Sequence, residues 1–142
     1  MTEGDLYHQA LVRLARAAEG SGRLEGATAG ATVDNPLCGD RVTVEVRLAG
    51  GSVAALAHRV RGCILCQASA SVLGRGAPGR TPAELAGAQA ALSALLRSGA
   101  PPPEGPFADL ALFAPVRAVP SRHRCALLPF EALTRALADA GR

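Results

Sequence analysis

The sequence has no lysine and no tryptophan, and its few Phe and Tyr residues bring the aromatic share only to 3%. With so few rings, a hydrophobic content of 49% has to build its core from Leu, Val and Ala, mostly on close-packed helices. Without lysine, arginine supplies all 15 basic residues, against 12 acidic ones. These arginines run from Arg13 to Arg142 with no dense block and little aromatic interleaving. Nucleic-acid binding wants a cationic stripe with stacking residues. The net charge of +3 therefore reads as a solvated surface, one that could still attract an acidic protein partner. No nucleic acid and no membrane is expected among the partners, since no apolar run approaches the roughly 20 residues of a spanning helix. The opening residues, Met1 to Tyr7, lack the basic-then-apolar layout of a secretory signal, so a cytoplasmic location is expected. Also missing are a phosphate-loop pattern, paired catalytic carboxylates and a Ser–His–Asp spacing.

What is present points to one domain over residues 1–142, long enough to bury a core without disulfide staples. Residues 5–19 carry Leu6, Ala10, Leu11, Leu14 and Ala18 on one helical stripe, ended by Gly20-Ser-Gly22. An edge strand is expected within residues 23–34. Arg41–Leu48 alternates Val42, Val44, Val46 and Leu48 with Arg41, Thr43, Glu45 and Arg47, the period of a half-buried strand. The turn Ala49-Gly-Gly-Ser52 should return Val53–Arg61 antiparallel. Cys63–Leu73 reads as a helix stopped by the glycines from Gly74 to Gly79. Thr81-Pro-Ala-Glu84 is a capping box with proline at the first helical position, opening a helix that ends near Gly99. A short helix is expected over Phe107–Phe113. Pro129 is tolerated only in a first turn, which sets the last helix to begin close to Cys125 and run to about Ala140. The resulting class is α+β, a small antiparallel sheet of about three strands with helices packed on one face.

Four cysteines without an export signal point to metal or thiol chemistry. Cys38 falls in a turn before the best strand, and Cys63 and Cys125 fall at or near helix starts. Unpaired N–H groups at a helix start stabilise a thiolate, the form that binds metal or attacks sulfur. Asp40 lies two residues after Cys38 across Gly39, so both side chains can face one ion. Three sulfurs and an oxygen would complete a tetrahedral zinc site; alternatively, Asp40 is a turn aspartate at a strand entry. Cys63-Ile-Leu-Cys66 admits three readings: zinc ligands, a redox pair, or a helix in which Cys66 is a small buried hydrophobe. His58 shares a strand face with Leu56 and Val60 and reads as structural. His8 sits on the first helix without a role, and His123 is close enough to Cys125 to influence a metal or thiol there.

The stretch Asp34-Asn-Pro-Leu-Cys-Gly-Asp-Arg41 resembles the IscU/SufU/NifU amino-terminal family of iron–sulfur assembly proteins. The likeness continues through Gly62-Cys-Ile-Leu-Cys-Gln-Ala-Ser-Ala-Ser71 and closes at Arg124-Cys-Ala-Leu-Leu128. The longer interval between Cys63 and Cys125 is similar to the SufU branch, with Thr81–Phe107 as the insertion. Ala118-Val-Pro-Ser-Arg122 replaces the Leu-Pro-Pro-Val-Lys motif of the IscU branch, so docking to a dedicated Hsp70 chaperone is not expected. The resemblance implies a SufE/NifU-like fold and a metal or cluster site of Cys38, Asp40, Cys63 and Cys125. It implies zinc at rest, with iron or a [2Fe–2S] cluster as the alternative load. In SufU-like relatives a desulfurase histidine takes over the zinc and frees the first cysteine, here Cys38, to accept sulfur. In IscU-like relatives the acceptor is the last cysteine, here Cys125.

The function expected is thus a non-enzymatic scaffold or zinc-dependent sulfur relay. It would be served by a SufS-like cysteine desulfurase and would deliver to recipient apoproteins. Two other classes stay open: a thiol oxidoreductase using Cys63 and Cys66, and a structural zinc-binding interaction module. Cys66, where relatives have a small polar residue, could add a fifth ligand or a resolving thiol.

Overall fold

A computed structural model describes residues 3–140, and side chains from Tyr7 onward. Leu6, expected on the first buried stripe, lies outside the described side chains. The strands are β1 (Ala29–Asn35), β2 (Asp40–Ala49) and β3 (Ser52–Arg61), and the helices are α1 (Glu3–Ala17), α2 (Ile64–Gly76), α3 (Pro82–Ser98) and α4 (His123–Ala140). A long 3-10 segment, Gly105–Ala118, and a short one, Pro120–Arg122, lead into α4.

The three strands form one antiparallel sheet in the order β1-β2-β3. Alternation in β2 decides which face is covered. Val42, Val44 and Val46 are fully buried, while their neighbours point outward. On that outer face Thr32 and Thr43 share a hydroxyl contact at 2.8 Å, and Arg59 pairs with Glu45 at 2.7 Å. Such polar cross-strand pairs suit a solvated surface, so the helices pack on the other face alone, α4 against β1 and β2 and α2 against β3. The free edge of β3 is partly covered by other segments. His58 exchanges backbone bonds with Gly20 and Gly22 (both 2.9 Å), and Val53 does so with Arg80 (2.9 Å) and Gly79 (2.7 Å).

In α2 the run Ala68-Ser-Ala-Ser71 is wholly buried, because small side chains let other elements approach closely. Each serine there meets a different neighbour. Ser69 donates to the Ala126 carbonyl of α4 at 2.5 Å, and Ser71 accepts from the Glu19 N–H just after α1 at 3.1 Å.

Three expectations about boundaries need correction. Helix α2 passes Gly74 and ends at Gly76, where Ala77 still donates back to Leu73. The segment after the proline loop is longer than expected and 3-10 in type. Its buried residues Phe107, Leu110, Phe113 and Val116 recur every third position, the period of a 3-10 helix. Finally, α4 begins at His123, so Pro129 sits beyond the first turn. Its ring costs the helix the N–H that would meet the Cys125 carbonyl.

Candidate metal centre

Asn35 and Asp40 are partners across the β1–β2 ladder, so residues 36–39 form a four-residue hairpin loop. Asn35 is buried and organises that loop. Its carbonyl accepts the N–H groups of Gly39 (2.9 Å) and Cys38 (3.3 Å), and its side-chain oxygen accepts that of Leu37 (3.3 Å). Gly39 takes φ +73°, a left-handed conformation that glycine adopts without cost. The loop leaves Leu37 93% exposed and Cys38 exposed, while Asp40 is only 2% exposed.

The buried carboxylate of Asp40 is the hub. Its Oδ2 accepts the Cys38 thiol at 3.0 Å and faces the Cys63 sulfur at 3.7 Å, and its Oδ1 accepts the Cys63 N–H at 3.1 Å. Cys125, fully buried in the first turn of α4, brings its sulfur 3.5 Å from that of Cys38. Ligand atoms of Cys38, Asp40 and Cys125 all lie within 4.8 Å of one another. Cys63 stands outside that mutual group but faces Asp40 Oδ2 and also interacts with the Cys125 thiol. Cys63 caps α2 in an extended conformation, which aims its N–H as well as its thiol at Asp40.

Electrostatics follow from this packing. Burial alone would raise the Asp40 pKa, but bonds from Cys38, the Cys63 N–H and the thiols of Cys125 and Cys63 outweigh it, and the carboxyl is held below its usual range. Burial pushes the Cys125 thiol well up, reinforced by Cys38 and Asp40. Burial also dominates the strong rise at Cys66.

The donor set can be tested against a tetrahedral ion. Bonds of about 2.0–2.3 Å place ligand atoms about 3.3–3.8 Å apart along each edge. The observed separations of 3.0, 3.5 and 3.7 Å fall at or near those edges. Three sulfurs with one carboxylate oxygen are also a chemistry that zinc accepts. Donor chemistry and the spacing of Cys38, Asp40 and Cys125 fit such an ion, and Cys63, outside that mutual group, would have to draw in to complete the set.

Other candidates are placed elsewhere. Cys66 is fully buried in the core. His123 donates from Nε2 to the carbonyls of Val116 (3.1 Å) and Arg117 (3.2 Å), which ties it to the 3-10 segment. His58 is buried and bonds the Glu19 carbonyl at 2.6 Å, the structural role expected of it, and His8 is exposed on α1. Sequence reasoning missed the role of Gly62, which entered as the first residue of the family-like stretch around Cys63. A Cβ on Gly62 would lie 2.6 Å from Asp40 Oδ1 and 2.8 Å from its Cγ, so the carboxylate occupies the space that glycine leaves open. The available signal was a glycine directly before a candidate cysteine.

Comparison with known proteins sets this geometry in a family. The NifU-like N-terminal domain profile matches residues 6–126. The iron–sulfur cluster assembly scaffold protein IscU of Thermotoga maritima is 26% identical over 132 residues, covering 93% of this chain and 92% of its own. The crystal structure of a nitrogen-fixing NifU-like protein (N-terminal) from Brucella abortus is 39% identical, with TM-score 0.91, over 96% of this chain and 95% of that one. A candidate SUF-system scaffold from Fervidobacterium islandicum shares the fold, with TM-score 0.84 at 24% identity over 96% of this chain and 99% of that one. With the profile spanning most of the sequence and the Brucella structure nearly all of it, the chain belongs to the NifU-like N-terminal domain family, whose members include iron–sulfur cluster assembly scaffolds.

Proposed function

We propose that this chain serves iron–sulfur cluster assembly in the cytoplasm as a sulfur acceptor. Cys38, Asp40, Cys63 and Cys125 would hold zinc at rest, and a SufS-like cysteine desulfurase would be the donor. The observation that carries this reading is the contrast within the thiol group. Cys38 is exposed on a hairpin tip, yet it contacts buried Asp40 at 3.0 Å and buried Cys125 at 3.5 Å. Such a thiol is within reach of a partner and of the other donors at once. This favours Cys38 over Cys125 as the acceptor.

Bound zinc would supply positive charge that keeps its sulfur ligands as thiolates. The remaining chemistry belongs to the side chains. Asp40 Oδ2 accepts the Cys38 S–H and fixes its sulfur at the edge of the buried donors. As thiolate, Cys38 attacks the terminal sulfur of a desulfurase persulfide. A new S–S bond forms on Cys38 as the old one breaks, and the desulfurase cysteine leaves as its thiolate. The sulfur then passes to recipient apoproteins directly, or within an iron or [2Fe–2S] load carried as cargo by the same donors. The buried, high-pKa state of Cys66 counts against its use as a redox partner of Cys63. Incubating the protein with a desulfurase and cysteine, followed by peptide mass mapping, tests the acceptor. A single added sulfur on the Cys38 peptide, lost in Cys38→Ser, is the expected result. Sulfur found on Cys125 alone would sink this choice.

A further inference from the structure

We propose that Ser69 is a positioning residue. Its hydroxyl holds the first turn of α4, and with it the Cys125 sulfur, against the Cys38–Asp40 corner of the site. The inference deepens the reading above and rests on it for the metal-binding consequence only.

A helix normally secures its first turn by bonds from N–H groups four residues on. Pro129 has no N–H, so the Cys125 carbonyl lacks that bond and the turn is tied less firmly to its own helix. Contacts with other elements hold it instead, among them Arg124, whose Nη2 donates to the Asp34 carbonyl at 3.5 Å. At one end His123 donates to the carbonyls of Val116 and Arg117. At the other, Ser69 donates to the carbonyl of Ala126, the residue after Cys125, at 2.5 Å. Ser69, Cys125 and Ala126 are all fully buried, so no water competes for this bond. Ser69 belongs to α2, the helix that Cys63 caps. A single hydroxyl thus links the two helices whose amino-terminal ends carry site cysteines. The 3.5 Å approach of Cys125 to Cys38 depends on where that first turn of α4 sits.

Ser71 supplies the control. It lies on the same helix and is equally buried, but its hydroxyl meets the Glu19 N–H at the end of α1, away from α4. Two readouts on the full chain separate positioning from general stability. The first is zinc affinity, by competition with a chromophoric chelator. The second needs no metal: the rate at which oxidised glutathione closes a Cys38–Cys125 disulfide in chelator-treated protein. There Cys38 attacks one glutathione sulfur and releases one thiol. Cys125 then attacks the Cys38 sulfur and releases the second.

Ser69→Ala should lower zinc affinity by about 10- to 100-fold and slow disulfide closure by a comparable factor, whereas Ser71→Ala should lower thermal stability but change either readout by no more than about twofold. Should Ser69→Ala fail to fold, the pair Ser69→Thr and Ser69→Val poses the same question, since it differs by the hydroxyl; only the former should keep both readouts. Equal losses in the Ser69 and Ser71 variants would reduce the role to stability and overturn the proposal, as would a Ser69→Ala protein unchanged in both. If the unaltered protein binds no zinc, the metal reading fails instead, and the disulfide rates alone decide the role of Ser69.

Discussion

Gly62 and Asp40 show how one residue's chemistry depends on what its neighbour lacks. The carboxylate lies where a Cβ on residue 62 would have to be, 2.6 Å from Oδ1, and both partners are backbone-fixed at strand ends. Gly62→Ala should therefore displace Asp40 and weaken zinc binding by at least about tenfold, or about 1.4 kcal/mol. Chelator competition measures it, and unchanged affinity would show that Asp40 has room elsewhere. Cys66 makes the opposite case. It is fully buried outside the group of close ligand atoms, and the three other sulfurs with Asp40 would complete a tetrahedral set without it. Cys66→Ser should keep zinc content and sulfur acceptance and lose about 1–3 kcal/mol of stability, the cost of a buried hydroxyl without a partner. Loss of zinc in that variant would make Cys66 a ligand after all. Spacing across Gly39 allowed Cys38 and Asp40 to face one ion but left Asp40 equally readable as a turn aspartate at a strand entry. The approach of Cys125 to Cys38, 87 positions away, could not be read that way. It depends on how α4 packs on the sheet, and only the family resemblance anticipated it.

At the scale of elements, local rules worked where the signal was local. Alternation fixed β2, the glycine turn after it fixed β3, and the capping box fixed α3. Thr81 accepts the Glu84 N–H at 3.2 Å, and Glu84 returns the contact to the Thr81 N–H at 3.2 Å. Thr81→Ala should cost about 1 kcal/mol, seen as a lower melting temperature with zinc content unchanged. The last helix was placed to within two residues at its start and ends where expected, at Ala140, but the proline rule behind its start was too strict. The short 3-10 turn Pro120–Arg122 runs directly into α4, so the helix starts before the position that Pro129 would set for it. Another element-level device is the clasp of the segment after α1 on β3 through His58. Burial lowers the His58 pKa from 6.5, against the bond to the Glu19 carbonyl. The unfolded chain therefore takes up a proton before the folded one does. The stabilisation is fully present above the unfolded value and is lost as pH falls through the folded one. Asp40, also lowered, adds a second loss of the same sign at more acid pH, below its usual 3.8. The unfolding free energy should thus begin to fall as pH drops below about 6.5, the unfolded value, and this part of the fall should vanish in His58→Phe. An unaltered slope in that variant would place the titrating group elsewhere.

For the whole molecule, the site is a junction of distant chain segments. Its donors come from the β1–β2 hairpin, from the strand-to-helix joint at Cys63 and from the start of α4. The hairpin tip is the exposed part of that junction, with Leu37 and Cys38 in solvent. An ion held there would tie the tip to the packed helix starts, and binding would appear as folding stability. Zinc at about 100 times its dissociation constant should add about 2.7 kcal/mol. For a chain of this size that raises the melting temperature by roughly 5–15 °C. Hydrogen exchange should slow together at residues 36–39, 63–66 and 123–126, with little change in α3, which supplies no donor. Cys125→Ser should remove the temperature shift and the joint protection alike. If zinc stabilised that variant as much as the unaltered protein, the ion would be binding elsewhere. The junction would then be a cluster of hydrogen-bonded thiols around Asp40 with no part in metal binding.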